Sequence, residues 1–157
     1  MNKLNIAVGD LAPEFSLPDQ EEREVSLESL RGKKVLLSFH PLAWTGVCEI
    51  QMRTLEVKHK TLEKLNTVAL GVSVDSSDSK KAWALSMGMK DTRLIADFWP
   101  HGEVAKKYGL FLEKSGISGR ANILIDEDGS IAFIKIYELG EVPDIEEIIR
   151  FLSDRSA

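Results

Sequence analysis

The chain has 157 residues, of which 43% are hydrophobic and 29% are charged, and its formal net charge at pH 7 is -5. This composition is ordinary for a globular protein and argues against a disordered chain, and the length fits a single domain, residues 1–157, with a buried core. Because acidic and basic residues are interspersed, the charge gives no support for binding to nucleic acid or to an anionic membrane. Met1 to Asn5 contain no apolar stretch of signal-peptide length, and no run approaches a membrane span, so we expect a cytoplasmic protein.

The hydrophobic pattern of the first two thirds predicts alternating strands and helices. Short apolar runs are typical of buried strands at residues 34–39, 67–74 and 94–96. Each run is followed by helical spacing of apolar residues, which predicts helices from Cys48 to about Leu65, from Asp78 or Ser79 to Met87, and over residues 101–108. Gly88 and Gly109 are placed to end the second and third helices.

The last third predicts a hairpin and a closing helix. Residues 121–126 and 130–137 flank the sequence Glu-Asp-Gly, which is typical of a turn between antiparallel strands. Residues 144–152 follow Pro143 and place apolar side chains on one helical stripe. The order of strand, helix, strand, helix, strand, helix, hairpin and helix predicts an α/β fold, with a mixed central sheet flanked by helices on both faces.

The only cysteine, Cys48, falls in the first turn of the helix predicted after residues 34–39. Unpaired amide N–H groups and the helix dipole at that end favour the thiolate over the thiol. Thr45 is close enough for its hydroxyl to turn towards the sulfur, and Pro41 fixes the backbone where the strand ends and shields the thiolate. A free cysteine is also among the residue types most often buried. The local pattern therefore leaves a reactive thiol and an inert core cysteine both open.

The stretch from Pro41 to Cys48, with the sequence PLAWTGVC, matches a Pro-x-x-x-Thr-x-x-Cys signature and so resembles the peroxiredoxins, the thiol-dependent peroxidases. Residues 13–19, 97–109 and 120–129 resemble further segments of that family, so the resemblance covers nearly the whole chain. It implies a thioredoxin-like fold with a peroxiredoxin-type N-terminal addition. It also implies a homodimer with Trp44 at or near the contact, and a reaction that needs no cofactor and no metal, because the sulfur supplies both electrons.

The same resemblance assigns the reaction to four residues. Cys48 would attack one oxygen of hydrogen peroxide or a small organic hydroperoxide and become a sulfenic acid. Thr45 would hydrogen-bond the thiolate and then the peroxide oxygen, and Arg120 would hold positive charge beside the sulfur and stabilise the transition state. Pro41 would shape the pocket.

The resemblance implies that two more positions assist the reaction. The backbone N–H groups of Val47 and Cys48 would help to hold the peroxide, and Gln51 would hydrogen-bond the arginine. Glu49, directly after the cysteine, is expected to face solvent.

Because no resolving thiol can come from an identical chain, the sulfenic acid must be reduced by an external thiol such as thioredoxin, glutaredoxin or a low-molecular-weight thiol. Until then it is open to over-oxidation.

Two other functions remain open. A thiol–disulfide exchanger of the thioredoxin type needs Cys-x-x-Cys, and the chain has Gln51 at the second position, so only monothiol exchange is left. A non-catalytic redox sensor with a thioredoxin fold would share the first oxidation step. Other residues are predicted to be structural: the histidines lack metal-ligand spacing, the methionines at 52, 87 and 89 fill the core, and Trp83 and Trp99 serve in packing.

Overall fold

The computed structural model describes residues 4–156, so Met1 to Lys3 and Ala157 lie outside the described residues. Within the described chain the strands are β1 (Ser16–Pro18), β2 (Glu24–Ser26), β3 (Lys34–Phe39), β4 (Thr67–Ser73), β5 (Arg93–Ala96), β6 (Phe111–Leu112), β7 (Ile117–Ser118), β8 (Arg120–Ile125) and β9 (Ile131–Tyr137). The helices are α1 (Gly46–Val57), α2 (His59–Lys64), α3 (Ser77–Met87), α4 (Glu103–Lys107) and α5 (Ile145–Ser156), with one 3-10 turn at Glu28–Leu30.

Five of these strands form one mixed sheet in the order β5-β4-β3-β8-β9. β3 is parallel to β4, and β4 is parallel to β5, because helices return the chain to the same end of the sheet between them. β8 is antiparallel to both β3 and β9. The predicted hairpin is present, and its turn is closed by the Gly129 N–H, which donates to the Asp126 carbonyl oxygen at 2.9 Å.

Both faces of the sheet are covered, as predicted. Successive residues of β3 point to opposite faces, so Leu36 packs under α1, α3 and α5, whereas Leu37 belongs to the core on the other side. That second core is closed by α4 and by the antiparallel hairpin of β1 and β2, which contributes Leu17 and Val25. The hairpin is the N-terminal addition expected from the sequence.

The helix predicted from Cys48 to about Leu65 is wrong in both extent and continuity. α1 begins two residues earlier, at Gly46, and ends at Val57; Lys58, with ψ at 9°, separates it from α2. The apolar periodicity runs through this break because Leu55 and Leu62 both pack in the core beneath these helices. Periodicity alone therefore could not reveal the interruption.

The ends of α3 and α4 can also be compared with the predicted helix bounds. α3 begins at Ser77, one residue before the earliest predicted start, and is capped by Ser76, whose side-chain oxygen accepts from the Ser79 N–H. It ends at Met87 and is followed by Gly88 with φ at 68°, as predicted. α4 is shorter than the predicted 101–108 because Gly102, with φ at 70°, delays its start. None of the helices in the described residues is long and apolar enough to cross a membrane.

The predicted packing role holds for Trp83 but is wrong for Trp99. Trp83 is fully buried on the core face of α3, whereas Trp99 is 78% exposed. Trp99 follows β5 in a loop, and no periodicity in that short segment could indicate which way its side chain points. The methionines at 52, 87 and 89 are buried, as expected.

Candidate active site

Cys48 lies in the first turn of α1, just beyond the end of the central strand β3, and its side chain is fully buried. The first backbone bond of this helix runs from the Glu49 N–H to the Thr45 carbonyl oxygen at 2.9 Å. The amides of Val47 and Cys48 precede it, so they are among the N–H groups that a helix leaves unpaired at its start. Thr45 makes no side-chain cap there. The helix thus presents free donors and the positive end of its dipole beside the sulfur.

Arg120 is the side chain that approaches the sulfur most directly. It is the first residue of β8, the strand next to β3, and it is only 3% exposed. Its Nη1 donates to Cys48 Sγ at 3.3 Å. Its Nε and Nη2 both donate to the Leu139 carbonyl oxygen, at 3.1 and 2.6 Å. The guanidinium is therefore fixed in one orientation, with one nitrogen aimed at the thiol.

Gln51 holds that nitrogen from the other side. It lies one turn after the cysteine on α1, and its Oε1 accepts from Arg120 Nη1 at 2.7 Å, which is the hydrogen bond expected from the sequence. Its Nε2 donates to Ser38 Oγ at 2.7 Å and to the Phe39 carbonyl oxygen at 3.2 Å. The amide is thus locked against the end of β3, and since its oxygen faces the guanidinium, its orientation is determined by both partners.

The hydroxyl of Thr45 points elsewhere than expected. It donates to the Leu42 carbonyl oxygen at 2.8 Å rather than to the sulfur, and the residue is exposed. The reason is local: residues 42–45 form a tight loop before α1, and a threonine hydroxyl readily bonds a carbonyl three residues earlier. Pro41 is buried at the start of this loop.

The loop at residues 42–45 is held by hydrogen bonds to residues that follow β4. The Ala43 N–H donates to Asp75 Oδ2 at 2.8 Å, and the same oxygen accepts from Ser73 Oγ at 2.6 Å. Trp44 adopts φ at 71°, and its indole Nε1 donates to Ser79 Oγ at 3.0 Å. These contacts hold the residues before Cys48 against the loop after β4 and the start of α3.

Glu49 points away from the sulfur, as expected. Its carboxylate accepts from Arg53 Nε at 3.0 Å on the half-exposed outer side of α1. No group of three or more histidine, cysteine, aspartate or glutamate residues in the described part of the chain is arranged to hold a metal ion.

Sequence reasoning missed several groups that shape the site. Ser38 and the Leu139 carbonyl oxygen fix Gln51 and Arg120, and Asp75 fixes the loop. For Ser38 a signal existed, because a serine inside the apolar run of β3 had to find a buried partner; it donates to Asn122 Oδ1 at 2.8 Å. The Leu139 carbonyl oxygen could not be predicted as a partner of Arg120, because every residue has a backbone carbonyl and the sequence does not indicate which one accepts from a distant arginine.

The chain is similar in sequence and in fold to the proteins of a known family. The sequence profile of the AhpC/TSA family matches residues 8–134. The chain belongs to this family, the peroxiredoxins. Alkyl hydroperoxide reductase E of Mycobacterium tuberculosis is 41% identical over 138 residues, which cover 87% of this chain and 90% of that protein.

Solved peroxiredoxin structures have the same fold. The crystal structure of the reduced 2-Cys peroxiredoxin of Plasmodium vivax superposes with a TM-score of 0.86 at 29% identity, over 95% of this chain and 81% of that one. The AhpC structure of Enterococcus faecalis gives a TM-score of 0.87 at 27% identity, over 95% and 92% of the two chains. The predicted thioredoxin-like fold is confirmed, and this peroxiredoxin, with its single cysteine, is a thiol-dependent peroxidase.

Proposed function

We propose that Cys48 is the peroxidatic nucleophile and that it reduces hydrogen peroxide and organic hydroperoxides. The thiolate attacks one oxygen of the peroxide; a sulfur–oxygen bond forms, the O–O bond breaks, and the leaving oxygen takes up a proton to become water or an alcohol. Cys48 is left as a sulfenic acid. The observation that carries the proposal is the contact of Arg120 Nη1 with Cys48 Sγ at 3.3 Å. An inert core cysteine has no need of a buried guanidinium aimed at its sulfur.

Arg120 acts in two ways in this proposal. Its charge favours the thiolate in the resting enzyme, and it stabilises the negative charge that moves to the peroxide oxygens in the transition state. Gln51 and the Leu139 carbonyl oxygen keep the guanidinium in place before the substrate arrives, so no reorganisation is needed during the reaction.

The remaining assigned residues form the peroxide side of the site. The unpaired amides of Val47 and Cys48 donate to a peroxide oxygen. Pro41, which has no amide hydrogen, closes the pocket beside the sulfur without adding a competing donor. Thr45 orients the peroxide through its hydroxyl oxygen; to donate to the substrate, the hydroxyl must give up its bond to the Leu42 carbonyl oxygen.

The reductant is an external thiol, because Cys48 is the only cysteine of the chain. A thioredoxin, a glutaredoxin or a low-molecular-weight thiol attacks the sulfenic sulfur, which forms a mixed disulfide and releases water. A second thiol then attacks the mixed disulfide, which restores the Cys48 thiol and leaves the reductant as a disulfide. A cytoplasmic location, where such thiols are kept reduced, fits this requirement.

The first test is oxidation of the reduced protein by one equivalent of hydrogen peroxide, without any added thiol. We expect a fast fluorescence change in stopped flow and a product that carries one added oxygen on Cys48 and is trapped by a sulfenic-acid reagent. Addition of the candidate thiols one at a time should restore the thiol and sustain turnover with at least one of them. If Cys48 is oxidised quickly but none of the three thiol classes restores it, the redox-sensor alternative replaces the peroxidase cycle. Oxidation as slow as that of a free thiol would contradict the proposal.

We also propose a homodimer with Trp44 in its interface. Large apolar side chains are exposed on or near the loop before Cys48: Trp44 is 55% exposed, Ile50 51% and Leu42 36%. Exposed apolar groups clustered close to a functional loop are typical of an interaction surface, and aromatic residues are enriched at the centres of such interfaces.

Replacement of Trp44 by glutamate should convert the dimer into a monomer, because a charge would be buried without a partner. Sedimentation velocity over a range of protein concentrations measures this. Val57→Glu is the matched control, since Val57 is the more exposed residue at the other end of α1. A wild-type protein that sediments as a monomer at all concentrations, or a Trp44 variant that remains a dimer, would contradict the proposal.

A further inference from the structure

A lysine with no exposed surface lies on the core face of α3. Lys80 shares this face with Trp83, Ala84 and Met87, and its side chain is completely buried. No carboxylate of the described residues lies within ion-pair distance of its nitrogen. The contacts of Nζ are with the His40 Nε2 atom at 3.3 Å and with the Gly71 carbonyl oxygen at 3.4 Å. A buried ammonium is expensive unless nearby charges compensate for its desolvation, so its position requires an explanation.

His40 is arranged to accept a hydrogen bond from this lysine and is itself neutral. Its Nδ1 lies 3.3 Å from the Ser38 carbonyl oxygen, which can only accept, so Nδ1 carries the hydrogen. The Nε2 lone pair then faces Lys80. Burial, followed by the charge of Lys80, holds the pKa of His40 well below its ordinary value. The imidazole ring is further fixed by Trp83, with ring centroids 5.5 Å apart.

Lys80 and Cys48 approach the same end of the sheet from neighbouring helices. Met52, one turn after Cys48 on the same face of α1, packs on Gly71 so closely that a Cβ there would collide with the methionine sulfur. Lys80 binds the carbonyl oxygen of that same glycine. Cys48 and the apolar residues around Lys80 on α3 also belong to one core cluster.

A chain of buried hydrogen bonds also connects His40 with the sulfur. His40 donates to the backbone of Ser38, and the Ser38 hydroxyl accepts from Gln51. Gln51 in turn accepts from Arg120, which contacts Cys48. The lysine is thus attached, through His40, to the framework that positions the thiol.

The titratable groups that face Lys80 come from four directions. Asp75 after β4, Cys48 on α1 and Asp97 after β5 attract its positive charge. His40 after β3 is neutral. Burial lowers the pKa of Lys80 to about 7, and the three negative groups oppose that shift. Asp75 and Asp97 already accept backbone N–H bonds from Ala43 and from Val104 and Ala105, respectively. The Cys48 thiolate is the one group among the three whose charge changes in the reaction.

We infer that Lys80 is a second buried cation of the peroxidase site, positioned by neutral His40, and that it and the Cys48 thiolate stabilise each other's charge. Lys80 is a positioning residue, since it does not touch the sulfur. The charge of the thiolate disappears when Cys48 becomes a sulfenic acid. Lys80 then holds its proton less tightly, so the oxidation state of the sulfur and the protonation of Lys80 are linked. The inference rests on the proposed role of Cys48 as the nucleophile.

The first test compares Lys80→Met with Lys81→Met. Lys81 is the neighbouring, exposed lysine of the same helix, where it pairs with Glu21. Loss of Lys80 should slow the oxidation of Cys48 by peroxide about tenfold. The loss should be largest below neutral pH, where Lys80 is charged, and should vanish at alkaline pH, where it is neutral. A loss that is the same at every pH, or identical profiles for the two variants, would overturn the inference.

The second test leaves Lys80 intact and measures the reverse effect. The titration of isotope-labelled lysine side chains is followed by NMR in the wild-type protein and in Cys48→Ser, with the Lys80 signal identified by its absence in Lys80→Met. Removal of the thiolate should lower the pH at which Lys80 loses its proton by about one unit. An unmoved Lys80 titration contradicts the inference. Because both titrations can be recorded without peroxide, linked titrations in a protein that peroxide oxidises slowly would sustain this inference while refuting the proposed function.

Discussion

Replacement of Cys48 by serine should abolish peroxide reduction. A serine hydroxyl is not ionised near neutral pH and cannot form a sulfenic acid, and no other thiol exists in the chain. We expect the rate of peroxide consumption to fall by at least about 10⁴-fold, the scale seen when a covalent enzyme loses its nucleophile. The measurement is peroxide consumption with a saturating thiol reductant, together with mass spectrometry after exposure to peroxide.

Met52→Leu is the matched control for this variant. It removes the buried sulfur that lies one turn further along α1 and preserves volume, so it should retain both fold and activity. Thermal unfolding of both variants shows whether the fold persists. Residual turnover in folded Cys48→Ser, or an activity loss in Met52→Leu of the same size, would show that the thiol is not the group that reacts.

Replacement of Arg120 by methionine should give the next largest loss. The variant keeps the length of the side chain but removes the donor that contacts Cys48 Sγ. We expect the second-order rate constant for oxidation to fall about 10²–10³-fold, as for the loss of one donor to a developing anion. Part of the loss should persist at alkaline pH, where the cysteine is ionised in both proteins, because the transition state has lost its stabilising charge. Stopped-flow fluorescence over a range of pH values measures both parts.

Two comparisons make the Arg120 result specific. Arg120→Lys keeps the charge but cannot serve the sulfur, Gln51 and the Leu139 carbonyl oxygen together, so it should recover only part of the rate. Arg155→Met removes an arginine that pairs with Asp126 on the surface and should leave the rate unchanged. The methionine variant should also lose about 1–3 kcal/mol of unfolding free energy for each buried acceptor left unpaired. Full activity in Arg120→Met would exclude this residue from the site.

The sequence predicted the parts of this site that follow from a motif, and missed those that follow from packing. The position of Cys48 at a helix start was predictable because a strand, a proline and a helical period occur in that order. The contact of Gln51 with Arg120 was expected only from the family resemblance, since the two residues are 69 positions apart. The hydroxyl of Thr45 could not be placed, because its choice between the Leu42 carbonyl and the sulfur depends on the exact loop conformation.

The sequence contained an indication that Lys80 is buried, but the residue type argued against it. Ser77, Lys80, Ala84 and Met87 fall on one helical stripe, which predicts a core-facing position. The following residue is also a lysine, and lysines are rarely fully buried, so composition argues for a solvated face. The burial of Lys80 becomes evident only in the folded structure, where His40 and the end of the sheet, which are distant in sequence, lie beside it.

The complete burial of the Cys48 sulfur has a consequence for the timing of the catalytic cycle. A hydroperoxide group is small, whereas a reducing thiol must bring its own sulfur into line with the sulfenic sulfur, so we expect the loop at residues 41–45, which leads into α1, to move aside during reduction. In that loop Trp44 holds a left-handed conformation, which is unfavourable by roughly 1–2 kcal/mol for a residue with a side chain. Oxidation benefits from a rigid loop and reduction from a yielding one. The hydrogen bonds of Ala43 to Asp75 and of Trp44 to Ser79 oppose such a movement, so we expect their loss to change the rate of reduction by the thiol more than the rate of oxidation by peroxide.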